Sequence, residues 1–377
     1  MRENSTKITN EILQFIDQHN LNLDKAEYED DYNRLALELF QYQFQTNLPY
    51  KKFCQARKKT PLTVKHWEHI PPMPIQVFKH LPLSCEPIQE AQAVFMTSGT
   101  TNPDAKGKNY HPVLSVSDAS MKGPFKQFVL PDCDRMTIFV LSPAEDLNKH
   151  SSLSRYLTNA VTYYGTDKSR FFFTEHGLNV DELIQAIRAC EAEQEPVMLM
   201  GATFAYVHIL DYMKERGLQF HLPKGSRIFD TGGFKGQSRE VEMDQLYGLF
   251  SEQFHVDRNR IINMYGMTEL SSQIYDQTIQ SSCLNGTAIH DKKGPSWVKT
   301  LVLNTDTLEP VEDGAAGVLA HYDLANWNSC LAILTEDMGY KTEHGFVLLG
   351  RIQGSEARGC SIAVDQLLQS NLGGVQR

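Results

Sequence analysis

The run Phe95-Met-Thr-Ser-Gly-Thr-Thr101 gathers four hydroxyl side chains around one glycine. Hydroxyls are compact donors that approach an anion without crowding it, and a glycine lets successive backbone amides bend toward one point. Thr97, Ser98, Gly99, Thr100 and Thr101 therefore have the chemistry of a polyphosphate grip, with Lys106 and Lys108 following to offset charge. No GK[ST] follows, so the loop is not of the Walker type. On composition alone, a polar turn between two strands is the simpler reading.

Three further patterns change the balance. Met264-Tyr-Gly-Met-Thr-Glu269 carries a hard carboxylate beside a hydroxyl, Leu334-Thr-Glu-Asp-Met-Gly339 offers Asp337 as an acceptor, and Gly350-Arg351 adds a cation. Thr231-Gly-Gly-Phe-Lys235 follows an apolar run, and Gly232 and Gly233 permit close backbone approach. Singly, each has a plainer explanation. Glu269 could be a first-turn helix carboxylate, Asp337 a turn residue, Arg351 a surface ion-pair partner, and the glycine pair a strand-to-helix turn.

In this order and at this spacing, the patterns resemble those of the adenylate-forming superfamily of acyl-CoA synthetases, luciferases and peptide-synthetase adenylation domains. The resemblance implies an α/β fold like the N-terminal domain of those enzymes, with a β-rich subdomain and a much shortened C-terminal lobe. It implies ATP and Mg2+ as cofactors and an acyl-AMP intermediate. By residue, it implies Thr97–Thr101 on the phosphates and Gly232 and Gly233 bordering adenine and acyl group. Tyr265 would lie against the adenine, with Gly266 and Met267 beside it. Thr268 would bond the α-phosphate, Glu269 would hold magnesium, Asp337 would meet the ribose, and Arg351 would meet ribose or phosphate. Such chemistry must bring two anions together, which aligned donors and a divalent cation make feasible.

Longer stretches narrow the likeness. Phe40–Phe53, Ile70–His80 with its Pro-x-x-Val-Phe-Lys-His ending, and Met200–Gly217 resemble the bacterial luminescence-type acyl-protein synthetases, roughly from residue 35 onward. That family implies a fatty acid substrate, an acyl thioester on a cysteine near the C-terminus, and transfer to a partner reductase. Arg358-Gly-Cys-Ser-Ile362 matches the cysteine segment, so Cys360 is the expected acyl acceptor, attacking the mixed anhydride as a thiolate. An ordinary buried thiol is the alternative for Cys360. The Tyr265–Glu269 motif resembles the general superfamily and phenylacetate-CoA-ligase-like enzymes more closely than the luminescence enzymes, which keeps coenzyme A or a carrier protein open as the thiol acceptor. The superfamily's lysine beyond the hinge has no match here, with Lys235 and Lys106 as possible substitutes, and this keeps open a degenerate nucleotide-binding subunit.

The elements that must hold these residues follow from periodicity. Ile8, Ile12, Leu13 and Ile16 recur at helical spacing, and Leu35, Leu37, Leu39 and Phe40 follow with looser phase. Pro61 and Pro71–Pro72–Met73–Pro74 then stop helix formation. Ala91–Met96, Thr137–Leu141, Arg170–Phe173, Val197–Met200, Arg227–Asp230 and Arg260–Met264 read as strands, with helices over Asp181–Cys190 and Thr203–Glu215. The expected division is residues 1–350 as an adenylate-forming catalytic domain, helical over 1–80 and β-rich from about 297 to 350. Residues 351–377 would form the shortened C-terminal segment with Cys360. At 377 residues and 41% hydrophobic content, a sizeable core is available. A net charge of −10 argues against a nucleic-acid coat protein. No stretch reads as a signal peptide or membrane span. The seven cysteines show no close pairing, so a reducing cytoplasm is the expected compartment.

Overall fold

Apolar runs without polar alternation belong to strands covered on both faces. In the computed structural model, which describes residues 2–20, 28–98, 106–233 and 238–352, four such runs are neighbouring parallel strands. They are Thr137–Val140, Val197–Ala202, Arg227–Thr231 and Ile261–Tyr265, and every residue of the first three is buried. Arg170–Phe171 extends the sheet in parallel beside Thr137–Val140, and Ile274–Asp276 runs antiparallel to Ile261–Tyr265. The expected strand Arg170–Phe173 is divided. After Phe172 donates to the Val140 carbonyl, Phe173–Thr174 turns into a hairpin with Gly177–Leu178.

These strands belong to one of two compact units, formed by Lys122–Gly266 and Ile274–His290. Helices Ser152–Tyr164, Val180–Glu193, Thr203–Arg216 and Met243–Phe254 lie between its strands in the chain, the alternation that a parallel sheet requires. Their ends are chemically marked. The Asn179 side chain accepts from the Glu182 amide at 3.2 Å, and Gly217 closes the next helix in the left-handed conformation. Leu183, Ile187, Leu199, Ile228 and Phe250 form the centre of the core. The Tyr206 hydroxyl sits 2.8 Å from the carbonyls of both Leu199 and Phe229, so its burial leaves no polar atom unpaired. Arg227 is also buried, and its guanidinium meets Asp132 at 3.0 Å and the Val129 carbonyl at 2.6 Å.

The second unit draws on Met1–Met121, Met267–Gln273 and the described residues from Asp291 onward. Its N-terminal part is helical: Glu3–His19 buries Ile8, Ile12, Phe15 and Ile16, and Glu29–Thr46 buries Tyr32, Leu35, Leu39 and Phe40. Asn47 caps Leu48–Ala56 by accepting from Tyr50 and donates to the Ser329 carbonyl. An antiparallel sheet follows in the order Val298–Leu303, Ala316–Asp323, Ala332–Lys341, Phe346–Arg351, Lys292–Lys293. Met73–Pro74 adds a short parallel pairing against Ile333–Leu334. Gly339 is required by close packing, since a Cβ there would stand 2.5 Å from the Val347 carbonyl oxygen. Ala93–Met96 and Lys108–His111 make a separate antiparallel pair. Among the described residues, no helix is long and apolar enough to cross a membrane.

The packing makes a stability test available. Phe250 is fully buried, with its ring 4.9 Å from Tyr206. Phe250→Ala is expected to destabilise the parallel-sheet unit by about 3–5 kcal/mol, read as a lower denaturation midpoint.

Candidate functional site

The hydroxyl-rich loop starts where the Ala93–Met96 and Lys108–His111 pair ends, with Met96 opposite Lys108. Thr97 and Gly107 form its neck. The Thr97 amide donates to the Gly107 carbonyl, and the Gly107 amide donates to Thr97 Oγ1, both at 2.9 Å. The Thr97 hydroxyl thus uses its oxygen structurally and keeps its proton to donate. Ser98 is exposed just above the neck. Gly99, Thr100 and Thr101 lie outside the described residues, as do Lys235 and Cys360.

Gly107 does more than turn the chain. A Cβ at that position would be 3.1 Å from Thr97 Cγ2, 3.4 Å from Glu269 Oε1 and 3.5 Å from Phe78 Cβ. The loop neck therefore lies next to the Glu269 carboxylate. A side chain at 107 would crowd the Thr97 methyl and come into ordinary contact with Glu269.

Glu269 lies in a turn in which the Leu270 amide donates to the Met267 carbonyl at 3.2 Å. The reading as a helix first-turn carboxylate does not apply. The turn is held from several sides of its own unit. Asn109 Nδ2 donates to the Thr268 carbonyl at 2.9 Å, and Asn326 Nδ2 donates to the Glu269 carbonyl at 3.2 Å. Asn326 Oδ1 also accepts from the Ser271 amide at 2.7 Å. Asp323 accepts from the Ser272 amide at 2.8 Å and hydroxyl at 2.9 Å, and from the Ala325 amide at 2.9 Å. Trp297 Nε1 supports the same Ser272 hydroxyl at 3.0 Å.

Glu269 is 5% exposed. Burial pushes its carboxyl up to about 7; its own amide, Lys79 and Arg351 pull it down, while Glu336 adds to the rise. A carboxyl in this state gains most from a cation or donor brought beside it. Asp323 behaves similarly, with burial raising it to about 6 against its backbone and Ser272 donors.

Asp337 is in a strand, not a turn. A register shift between Met338 and Gly339 leaves Asp337 opposite Arg351, with Arg351 Nε 3.7 Å from Asp337 Oδ1. The Asp337 amide donates to Thr335 Oγ1 at 3.0 Å, which fixes the backbone ahead of the pair. The Arg351 side chain is 73% exposed and free to meet a ligand as well. Gln76 Nε2 donates to Glu336 Oε1, tying the turn Ile75–Lys79 to the strand that carries Asp337.

In the parallel-sheet unit, Thr231 pairs with Met264, so Gly232 and Gly233 leave one strand where Tyr265 and Gly266 end the next. These are carboxyl ends of parallel strands, where open α/β sheets bind ligands. Asp230 fixes both ends. It accepts from Thr203 Oγ1 at 2.8 Å and Asn263 Nδ2 at 2.9 Å, and the Thr231 hydroxyl donates to the Met264 carbonyl at 3.0 Å. Gly232 has φ +72°, a conformation that suits glycine. The chain passes from this unit to the other between Gly266 and Met267. The sequence-derived residues accordingly form two groups: Gly232, Gly233, Tyr265 and Gly266 in one unit; Thr97, Ser98, Met267, Thr268, Glu269, Asp337 and Arg351 in the other.

The family model of the acyl-protein synthetase LuxE matches residues 2–369. The chain belongs to that family. A long-chain-fatty-acid–luciferin-component ligase of Aliivibrio fischeri is 22% identical over 354 residues, covering 90% of this chain and 89% of its own length. Among solved structures, a 2-hydroxyisobutyryl-CoA ligase in complex with 2-HIB-AMP and CoA superimposes with a TM-score of 0.67 at 13% identity, over 89% of this chain and 70% of that one. The fold is that of the adenylate-forming enzymes. ATP-bound MatB from Rhodopseudomonas palustris aligns at 15% identity over 71% of this chain with a TM-score of 0.49, and the chain spans only about half of its length (49%).

Several residues around the candidate site carry no sequence signal. Asn109, Asn326 and Asp323 are ordinary polar residues in local context; only their long-range bonds to Thr268–Ser272 distinguish them. Gln76 and Lys79 fall inside a recognisable Pro-x-x-Val-Phe-Lys-His stretch, but nothing in that pattern points to Glu269.

The Glu269 carboxyl gives a pH test. Its folded pKa of about 7 exceeds the ordinary 4.5, so the protonated form is favoured by folding. Stability from this group is fully present below pH 4.5 and is lost as pH rises through 7. Without nucleotide or metal, Glu269→Gln should melt close to wild type at acid pH and gain an advantage approaching about 3 kcal/mol above neutrality. A pH-independent difference in denaturation midpoint would contradict the assigned burial cost.

Proposed function

We propose that this protein is an ATP-dependent acyl-protein synthetase. It activates a carboxylic acid as acyl-AMP, takes the acyl group onto Cys360, and delivers it to a partner such as an acyl reductase. The observation that carries the adenylation reading is the Glu269 carboxylate packed against the Thr97–Gly107 neck of the hydroxyl-rich loop. Beside it, the exposed Arg351 and the Asp337 carboxylate offer a cation and an acceptor suited to phosphate and ribose.

The residues fit magnesium. Magnesium is bound through one or two carboxylates completed by substrate phosphates. Among the described residues, no group of three or more His, Cys, Asp or Glu could hold a metal unaided, while Glu269 offers one buried hard oxygen donor beside the loop. When bound, the ion would supply charge neutralisation for the departing pyrophosphate. Glu269 would hold it, the Thr97 and Ser98 hydroxyls would bond phosphate oxygens, and Thr268 would bond the α-phosphate. Gly232, Gly233, Tyr265, Gly266 and Met267 would border the adenosine.

The name borne by the Aliivibrio fischeri relative supports a long-chain fatty acid as the substrate. Family membership supports a protein thiol as the acceptor. A reducing cytoplasm would keep the acceptor thiol of Cys360 available for acylation.

The test is acylation. Radiolabelled fatty acid with ATP and Mg2+ is expected to attach to the protein, to be released by neutral hydroxylamine, and to fail to attach to Cys360→Ser. Labelling that persists in Cys360→Ser would move the acyl group to another residue. An undiminished yield of acyl-CoA from that variant would make coenzyme A the acceptor. Absence of pyrophosphate–ATP exchange across a broad panel of acids would leave a nucleotide-binding subunit without turnover.

A further inference from the structure

We propose that Asn109 is a positioning residue for adenylation: its carboxamide ties the Thr268–Glu269 turn to the Thr97–Gly107 neck, holding both motif residues at a set distance from the phosphate grip. The inference rests on the adenylation reading above.

Asn109 lies opposite Phe95, one residue beyond the Met96–Lys108 pair that closes the neck. In an extended chain, residues two apart face the same way. At Gly107 that direction leads toward Glu269, since a Cβ there would stand 3.4 Å from Oε1. At Asn109 the side chain reaches the Thr268 carbonyl at 2.9 Å, across 159 positions of sequence. One side of the returning chain thus meets two consecutive residues of the turn.

The surroundings make Asn109 a fixed strut. It is 2% exposed. Its neighbours Phe95 and His111 pack with ring centroids 4.9 Å apart. The hairpin is a separate two-stranded pair, so strand pairing does not join it to the larger sheet. Among the described residues, side-chain bonds do so from two positions. Asn328 donates to the Tyr110 carbonyl at 2.8 Å while accepting from the Glu86 amide at 3.0 Å, and Asn109 bonds Thr268.

Two carboxamides therefore hold successive carbonyls of the motif. Asn109 bonds that of Thr268, and Asn326 bonds that of Glu269 at 3.2 Å. The planar peptides on both sides of the Glu269 Cα are fixed, and with them the direction in which its side chain leaves. The two bonds differ in what they join. Asn326 lies between the strands Ala316–Asp323 and Ala332–Lys341, whereas Asn109 belongs to the hairpin that carries the loop neck. Loss of Asn109 would leave the turn on Asn326 but release it from the grip.

The step is sensitive to such a release. A carboxylate oxygen bonds to the α-phosphorus, the bond from that phosphorus to the oxygen bridging to the β-phosphate breaks, and pyrophosphate leaves with the electron pair. No proton moves, and Asn109 touches none of the reacting atoms. A carboxylate that shares an octahedral ion with phosphate oxygens tolerates little displacement, and the same holds for a hydroxyl aimed at the α-phosphate. Groups that support metal ligands from behind matter for this reason.

The experiment compares wild type, Asn109→Ala, Asn109→Ser and Asn47→Ala. Asn47 is a matched control, because its carboxamide also bonds a carbonyl, that of Ser329, at 2.9 Å in the same unit. Pyrophosphate–ATP exchange is measured, together with the affinity for Mn2+ in the presence of α,β-methylene-ATP. Mn2+ accepts the same oxygen ligands as magnesium and is followed by its paramagnetism. Asn109→Ala is expected to lower exchange about 10- to 100-fold and to weaken Mn2+ about tenfold. Asn109→Ser is too short to span to Thr268 and should show the same losses; it decides the question should the alanine variant not fold. Asn47→Ala should match wild type in both measurements while melting at a lower temperature. A value within about twofold of wild type in either measurement for a folded Asn109 variant would overturn the assignment and leave the adenylation reading intact. Equal losses in Asn47→Ala would also overturn it, since general destabilisation would then account for them. Wild-type protein without exchange on any acid would overturn the adenylation reading and this assignment together.

Discussion

The constraint on which the candidate site depends is the burial of the Glu269 carboxylate next to a loop neck where Gly107 leaves only a tight fit for a side chain. Removing a carboxylate from water is costly unless donors or cations replace the lost hydration. Here the replacement is deliberately incomplete. The turn around Glu269 is bonded through its carbonyls and amides, by Asn109 and Asn326, while among the described residues the carboxylate is drawn down by its own amide and the fields of Lys79 and Arg351. The backbone is thereby rigid and the carboxylate under-satisfied. That combination suits a residue whose partner arrives with the substrate.

The same burial cost recurs one layer deeper, with a different supply of donors. Asp323 is fully buried, but it accepts from Ser272 twice and from Ala325. A carboxylate so well supplied is a structural bracket, and Trp297 adds to it by holding the shared Ser272 hydroxyl. Buried Asp230 serves the parallel-sheet unit in this way, bonding Thr203 and Asn263 next to the strand ends that carry Gly232 and Tyr265. These three buried carboxylates thus differ by hydrogen-bond supply: two serve as structural brackets, and the least supplied lies next to the Thr97–Gly107 neck.

Much of this fold is legible in the sequence because its strands are covered on both faces. Val197–Ala202 and Arg227–Thr231 are uninterrupted buried runs, so hydrophobicity alone marks them, and the intervening helices are set off by Asn179 and Gly217. Arg170–Phe173 is misread as one strand because hydrophobicity does not report a change of hydrogen-bond partner after Phe172. Glu269 and Asp337 are recognisable as motif members, but their local conformation is not. A helix cap, a turn and a strand bulge accept the same short polar sequences, and the choice is made by distant groups: Asn326 for Glu269, Arg351 for Asp337. The division of Tyr265-Gly-Met-Thr-Glu269 between two compact units is likewise invisible locally, since a continuous motif gives no sign of where the packing changes sides.

The under-supply of Glu269 also sets how far the fold can be optimised. A donor added beside Glu269 would lower its pKa and stabilise the protein above neutrality, but it would compete with the cation that the carboxylate is suited to bind. A larger residue at Gly107 would fill the gap by contact and crowd the Thr97 methyl. Either change relieves the fold by consuming the interaction reserved for the substrate. Low hydration strengthens the attraction between this carboxylate and an arriving cation for the same reason that it raises the carboxyl pKa, because both report a medium that screens charge poorly. The stability lost on ionising Glu269 and the affinity gained when its partner arrives are two measures of one environment.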